Sequence, residues 1–174
     1  KYRPSKKKFI LDIGSNDGTL LKFFKELGYS VLGIDPAKEI AKKATLDGIE
    51  TINDFFNMET ARKIKEKYQN ASLITANNVF AHCDDLSGIT DAVSNLLSID
   101  GIFVFEVSYL VDVYQKTLFD TIYHEHLSYH SVLPLIDFFE RKNMTLIDIE
   151  RINTHGGSIR CVVKNRLDKT KIKA

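Results

Sequence analysis

The sequence predicts a doubly wound α/β domain: a mostly parallel, seven-stranded sheet with an antiparallel last strand and helices on both faces. Three observations predict it. Short apolar runs alternate with amphipathic stretches of helix length from residue 9 to residue 107. The first run, in FILDIGSNDG (9–18), breaks at Gly14 and Gly18 around a polar turn and passes directly into TLLKFFKELG, the pattern of strand, tight turn and helix. The chain closes on TLIDIERI and SIRCVVKN, joined only by NTHGG (153–157). Strands joined so closely run antiparallel, because a parallel crossover takes about a dozen residues or more.

The elements follow in order. Residues 9–12 form the first strand and 19–28 the first helix, with glycines between them because so sharp a turn needs positive φ or the absence of a Cβ. A second apolar run, 30–34, ends in Asp35, about 20 residues on, where a carboxylate at a strand tip accepts both hydroxyls of a ribose. Pro36 is expected to start a helix that Gly48 stops, and 49–52 to be a short third strand. After a charged helix at 58–68, the buried strand 71–76 carries Asn77, Asn78, Phe80 and His82 at its carboxyl end, the edge where ligands lie in open α/β sheets. Asp84 or Asp85 caps a helix running to about Ser98, and 101–107 is the fifth strand. The rhythm then breaks at 107–131, longer than a crossover requires, and an insertion of that size usually has a task. A helix at 132–143 leads to the closing pair.

With 174 residues the chain suits one domain with a good core and is too short for two. Its 44% hydrophobic and 27% charged content is that of an ordinary water-soluble domain, and a net charge of +1 does not call for nucleic acid. No apolar run reaches the length of a membrane span and no apolar signal region opens the chain, so no membrane partner is expected. Cys83 and Cys161 lie far apart without a C-x-x-C pairing, which fits a cytoplasmic protein with free thiols. The chain reads as an excised domain: 1–8 a basic leader or linker, 9–165 the ligand-binding domain with its insert at 107–131, and 166–174 a linker to a further C-terminal domain.

The opening turn and Asp35 point to a ligand containing adenosine or a similar nucleoside. A dinucleotide site carries G-x-G-x-x-G so that backbone amides can approach a pyrophosphate; here Gly14-Ser15-Asn16-Asp17-Gly18 has only two glycines. Acids at Asp12 and Asp17 repel phosphates and suit the ammonium and sulfonium of S-adenosylmethionine. The expected cofactor-binding set is Asp12, Gly14, Asn16, Asp17, Gly18, Asp35, Pro36 and Asn77.

Four of the five histidines gather at two places, His82 and the run YHEHLSYH with His124, His126 and His130. An imidazole, with its unperturbed pKa of about 6.5, suits proton abstraction near neutrality, and Glu125 stands ready to orient one. A zinc site built from these histidines is the competing reading, but H-x-H-x-x-x-H matches no ligand spacing with a mechanical basis, so no metal is expected in this chain. His124 and His130 are read as structural. His155 either faces the site from the last turn or fills a tight bend beside Gly156 and Gly157.

The runs LDIGSNDGTLL, GIDPA, ANNVFAH, FEVSYLVDVYQKTLFDTIYHEHLSYHS and HGGSIR resemble the class I S-adenosylmethionine-dependent sugar C-methyltransferases over about residues 9–163. The resemblance implies a Rossmann-like class I methyltransferase fold and a nucleotide-linked deoxy-keto sugar as substrate. It makes His126 the base that takes a proton from the carbon beside the ketone, with Glu125 as its partner. Asn78 and His82 then position the sugar and stabilise the enolate oxygen. Family members also carry a cysteine-rich zinc-binding region before this domain and a second α/β domain after it. Zinc is therefore expected only outside these residues, and this domain alone is expected to turn over poorly. Two other readings compete: a nicotinamide-dependent oxidoreductase, which the incomplete glycine pattern and reversed last strand weigh against, and a methyltransferase-like domain that binds a ligand without catalysis. The residues by themselves do not separate carbon from oxygen methylation.

Overall fold

The structure, a computed structural model, describes residues 2–166. Its strands are β1 (Ile10–Ile13), β2 (Val31–Ile34), β3 (Thr51–Ile52), β4 (Ala71–Asn77), β5 (Leu97–Ser108), β6 (Met144–Ile152) and β7 (Ser158–Asn165). Between them lie helices α1 (Thr19–Glu26), α2 (Lys38–Leu46), α3 (Met58–Tyr68), α4 (Leu86–Leu96), α5 (Leu110–Gln115) and α6 (Val132–Arg141). They form one sheet in the order β3-β2-β1-β4-β5-β7-β6, parallel from β3 to β5, with β7 antiparallel to both β5 and β6. The expected seven-stranded arrangement with its reversed last strand is the one observed.

Strand alternation divides the core into two layers. Ile10, Leu73, Ile102 and Val162 face α1 with Leu21. Leu11, Ile13, Ile74, Phe103 and Phe105 face the other way, against α3, α4 and α6. In that second layer Phe80 is fully buried, its ring 4.8 Å from Phe105 and 6.2 Å from Phe139. Burying such a ring contributes about 1.5–3 kcal/mol and pins the short 3-10 turn Phe80–His82 that follows β4. One apolar side chain thereby fixes where His82 emerges.

Four boundaries differ from expectation. Pro36 precedes the cap residue Ala37 and so stands outside α2, and β3 shrinks to two residues. The helix capped by Asp85, whose carboxylate accepts from Gly88 N at 2.8 Å, stops at Leu96 and β5 begins at once. Asn70 draws the chain over by donating to the carbonyls of Leu96 and Leu97, and the register slips between Ala71 and Leu73 to absorb the extra residues. At the other end of the sheet α6 stops at Arg141, and Asn143 (φ 54°) turns the chain into β6.

The insert at 107–131 is a closed loop. Its two ends meet where Tyr109 bridges His130 and Leu110 N donates to His130 O at 2.9 Å. Between them come α5, a 3-10 turn at Phe119–Thr121 and an irregular stretch that returns over the carboxyl end of β4, where Leu127 N and Ser128 N both donate to Ala81 O. The leader packs on the domain through Tyr2 Oη to Asp148 at 3.2 Å and Lys8 Nζ to Asp100 at 2.8 Å. The expected linker at 166–174 lies, apart from Arg166, outside the described residues. Among the described residues no helix is long and apolar enough to cross a membrane.

Candidate active site

A cleft of about 760 Å³ opens beyond the carboxyl ends of β1, β2 and β4, lined among others by Gly14, Asp35, Pro36, Phe55, Asn78 and His82. Its floor is the turn after β1. Gly14 has φ 67°, and a Cβ there would lie 2.5 Å from Val79 Cγ2, so only glycine brings β1 this close to the loop after β4. Gly18 (φ 75°) caps α1, with Ile49 against its Cα. Asp35 is buried and held from both sides: Oδ2 accepts from Asn16 N and Oδ1 from Ala37 N, each at 2.9 Å. A carboxylate offers about four lone-pair positions. Two remain for a ligand.

The structure places the other expected cofactor residues as follows. Asp17 accepts from Thr19 N and Oγ1 at the start of α1, and these bonds hold its carboxyl below the usual range. Asn16 (φ 51°) contributes its backbone to Asp35. Asp12 faces the α1 layer, buried, and accepts from Thr75 Oγ1 at 2.6 Å. Burial pushes its carboxyl up to about 6; the Thr75 bond opposes that and the Asp35 charge adds to it. Asn77 lines a separate groove on that same layer with Thr75 and Glu106. Lining residues that the sequence reading missed follow β3: Asp54, Phe55 and Phe56. The signal was present in NDFFN, since Phe55 is left 70% exposed over the cleft with no core to enter.

A smaller polar pocket of about 280 Å³ adjoins the cleft at the shared residues Asn78 and His82, and is completed by Ser108, Asp120, Tyr123 and His126 together with Thr121 and His155. Here the structure brings together residues that are remote in sequence. Asn78 (φ 55°) is set by its amide donating to Glu106 O at 2.9 Å. His82 meets His126 edge-on, with ring centroids 4.9 Å apart. Burial, followed by the proximity of His126, lowers the His82 pKa, against an opposing pull from Glu125. His126 places Nδ1 2.7 Å from Thr121 O and Nε2 3.2 Å from Tyr123 Oη. The carbonyl can only accept, so Nδ1 carries the proton and Nε2 is the acceptor. Glu125 extends towards His124 instead, 4.0 Å from its Nε2, and among the described residues no hydrogen bond joins it to His126. The groups that orient the His126 imidazole are Thr121 and Tyr123.

His130 is buried against Phe80, bonded to Ser128 Oγ at 3.0 Å and pushed down to about 4 by burial, a structural histidine. His124 is exposed. Among the described residues no group of three or more acidic, histidine or cysteine side chains is placed to hold a metal ion. Behind the pocket the fully buried Asp112 of α5 accepts from Arg151 Nε at 2.9 Å and pairs with Lys116 Nζ at 2.9 Å, which holds its carboxyl down to about 2. This ionic knot ties the insert to the end of β6 and to the HGG turn.

Residues 2–152 match the model of a family described as a methyltransferase domain. Over 150 residues, 86% of this chain, the sequence is 39% identical to the C-methyltransferase NovU of Streptomyces niveus, and it spans 36% of that relative's length. Among solved structures, an S-adenosylmethionine-dependent methyltransferase from Anabaena variabilis superposes with a TM-score of 0.72 at 14% identity, covering 93% of this chain and 79% of that one. Magnesium protoporphyrin IX methyltransferase from Synechocystis, solved with bound S-adenosylhomocysteine, gives 0.66 at 13% identity, covering 91% and 74%. The two structures speak for the fold, and the sequence matches carry the relationship. The chain belongs to the methyltransferase domain family.

Proposed function

We propose that this domain uses S-adenosylmethionine to methylate the carbon beside the ketone of a nucleotide-linked deoxy-keto sugar, with His126 as the base. The observation that carries the reading is the fixed tautomer of His126, whose Nε2 lone pair is turned into a polar pocket adjoining the larger cleft. The cleft suits the adenosyl ligand: Asp35 keeps two acceptor positions for ribose hydroxyls, and Phe55 offers an exposed ring for a flat base. The 39% identity to a C-methyltransferase supports carbon as the acceptor atom, and that relative's greater length supports further domains of the same full-length chain as partners in holding the nucleotide. The free thiols of Cys83 and Cys161 suit a cytoplasmic setting.

In the resting site Tyr123 Oη satisfies Nε2 of His126. On substrate entry that lone pair takes the proton from the carbon beside the ketone. The C–H electron pair becomes the enolate double bond and the carbonyl pair moves to oxygen, where Asn78 and His82 donate. S-adenosylmethionine, when bound, supplies an activated methyl group that the enolate carbon takes, the C–C bond forming as the S–C bond breaks and S-adenosylhomocysteine leaves. The carbonyl is restored, and His126 returns its proton to solvent.

The test is solvent deuterium exchange. Given a nucleotide-linked deoxy-keto hexose in D2O without methyl donor, the intact protein is expected to place deuterium on the carbon beside the ketone. With donor, the methyl group appears on that carbon. No exchange, or a methyl group on oxygen, overturns the reading.

A further inference from the structure

We infer that His155 touches the substrate in this site, supplying beside Asn78 and His82 a third hydrogen bond to the ketone oxygen of the acceptor. The inference rests on the methyl-transfer reading above. His155 lines the same pocket as His126, from the turn between β6 and β7. Among the described residues its ring makes no aromatic contact, and its one side-chain hydrogen-bond partner is Asn78, Nδ2 to Nε2 at 3.5 Å. That is the outer limit of a hydrogen bond. Two nitrogens this far apart can both stand about 2.9 Å from one oxygen placed between them, the usual N–H···O distance. Once the imidazole proton sits on Nε2, both groups donate to that oxygen.

The backbone argues against a residue that merely fills a bend. His155 has φ 50°, a left-handed conformation uncommon outside glycine, and it is followed by Gly156 (φ 81°) and Gly157 (φ 144°), which already supply the reversal. The turn is fastened on every side. Thr154 Oγ1 donates to Glu106 at 2.7 Å, Gly157 N to Thr154 O at 2.9 Å, Lys116 Nζ to Gly156 O at 2.7 Å and Tyr109 N to Gly157 O at 3.0 Å. A Cβ on Gly156 would lie 2.6 Å from Leu118 Cδ1, and one on Gly157 2.5 Å from Asp112 Cγ. The insert therefore clasps the turn, and the imidazole it holds out is exposed to solvent on the pocket side. A left-handed backbone kept at an exposed residue whose ring faces the pocket suits a positioned ligand contact.

The experiment compares His155→Gly and His155→Asn with the wild type in the intact protein. Glycine removes the ring while suiting the left-handed backbone, and asparagine tolerates that backbone and keeps a shorter donor. Deuterium exchange into a nucleotide-linked deoxy-keto hexose without donor, kcat and KM for methyl transfer, and calorimetric affinity for S-adenosylhomocysteine are measured on each. His155→Gly is expected to slow exchange and lower kcat about a hundredfold, the usual loss for one oxyanion donor, with affinity for S-adenosylhomocysteine unchanged and partial recovery in His155→Asn. Wild-type exchange and kcat in His155→Gly overturn the inference and leave the methyl-transfer reading intact. So does a parallel loss of turnover and of S-adenosylhomocysteine affinity in both variants, which marks a folding role. Absence of exchange in the wild type sinks the methyl-transfer reading itself, and the assignment of His155 falls with it.

Discussion

Nδ1 of His126 lies 2.7 Å from the carbonyl oxygen of Thr121, and that contact decides which ring nitrogen can work. Tyr129 Oη donates to the same carbonyl at 3.1 Å, so the acceptor is itself held in place. His126→Ala is expected to lower kcat for methyl transfer by about 10²- to 10⁴-fold, the range for loss of a positioned base. The ring belongs to the smaller pocket and not to the lining of the larger cleft, so affinity for S-adenosylhomocysteine is expected to stay the same. Normal turnover in the variant would remove His126 from the mechanism.

His82 is expected to be neutral at pH 7, because burial and then the nearby His126 ring depress its pKa below 6.5. A neutral imidazole can donate one N–H to an enolate oxygen without giving up a full proton to it. As pH falls through 6.5 the unfolded chain takes up its proton before the folded one does, so this residue makes folded stability decline on acidification. Imidazole NMR reads the titration directly. A His82 midpoint above 6.5 would contradict the assignment of its environment.

Asp35→Ala removes an acceptor for the ligand and also leaves Asn16 N and Ala37 N without their partner. Donor binding is expected to weaken by about 1.5–3 kcal/mol per lost charge-assisted hydrogen bond. Calorimetry with S-adenosylmethionine and S-adenosylhomocysteine measures it, and equal affinities in variant and wild type would place the ribose elsewhere.

Asp12 carries a pH signature of the opposite sign. Its folded pKa of about 6 stands above the ordinary carboxyl value of 3.8, so between those values the folded state holds a proton that the unfolded state has released. Stability attributable to Asp12 therefore falls as pH rises from about 4 to about 6, by about 3 kcal/mol at most. Asp12→Asn, which still accepts from Thr75 Oγ1, is expected to flatten that stretch of the pH–stability curve. Denaturant unfolding at pH 4, 5, 6 and 7 measures the slope, and an unchanged slope in the variant would assign it to other groups.

These residues also show what a sequence discloses and what it withholds. The glycine turn, Asp35 and the reversal into β7 are legible because each is set within a few neighbouring residues, by backbone sterics or by loop length. Asp12 and Asn77 flank turns at the carboxyl edge, which is why they read as ligand contacts, but alternation along β1 and β4 sends their side chains to the α1 layer, and the layer facing the cleft is known only once the helices are placed. The partner of His126 has the same character: Glu125 is adjacent in sequence, whereas the backbone folds so that Thr121 O, five residues back, accepts the hydrogen bond from Nδ1. His155 meets Asn78 across 77 residues, a contact no local pattern could contain.

The clasp on the HGG turn gives the last prediction. Gly157 sits at φ 144°, ψ 119°, where an L residue is strained by about 1–3 kcal/mol, and its missing Cβ would collide with Asp112, itself fully buried and fixed by Arg151 and Lys116. Gly157→Ala is therefore expected to lower stability by more than the backbone strain alone and to cost turnover more than S-adenosylhomocysteine binding, because the displaced turn carries His155 and not the cleft residues. Asp112→Ala breaks the ionic knot but leaves Arg151 and Lys116 half-exposed, able to regain water, so its own cost is expected to be about 1–3 kcal/mol. The decisive measurement is the double-mutant cycle by denaturant unfolding. With the Asp112 carboxylate gone, the added methyl group has room, and Gly157→Ala should cost less than in the wild-type background. Strictly additive costs would mean that the glycine answers only to its backbone angles and that Asp112 does not hold the turn against the insert.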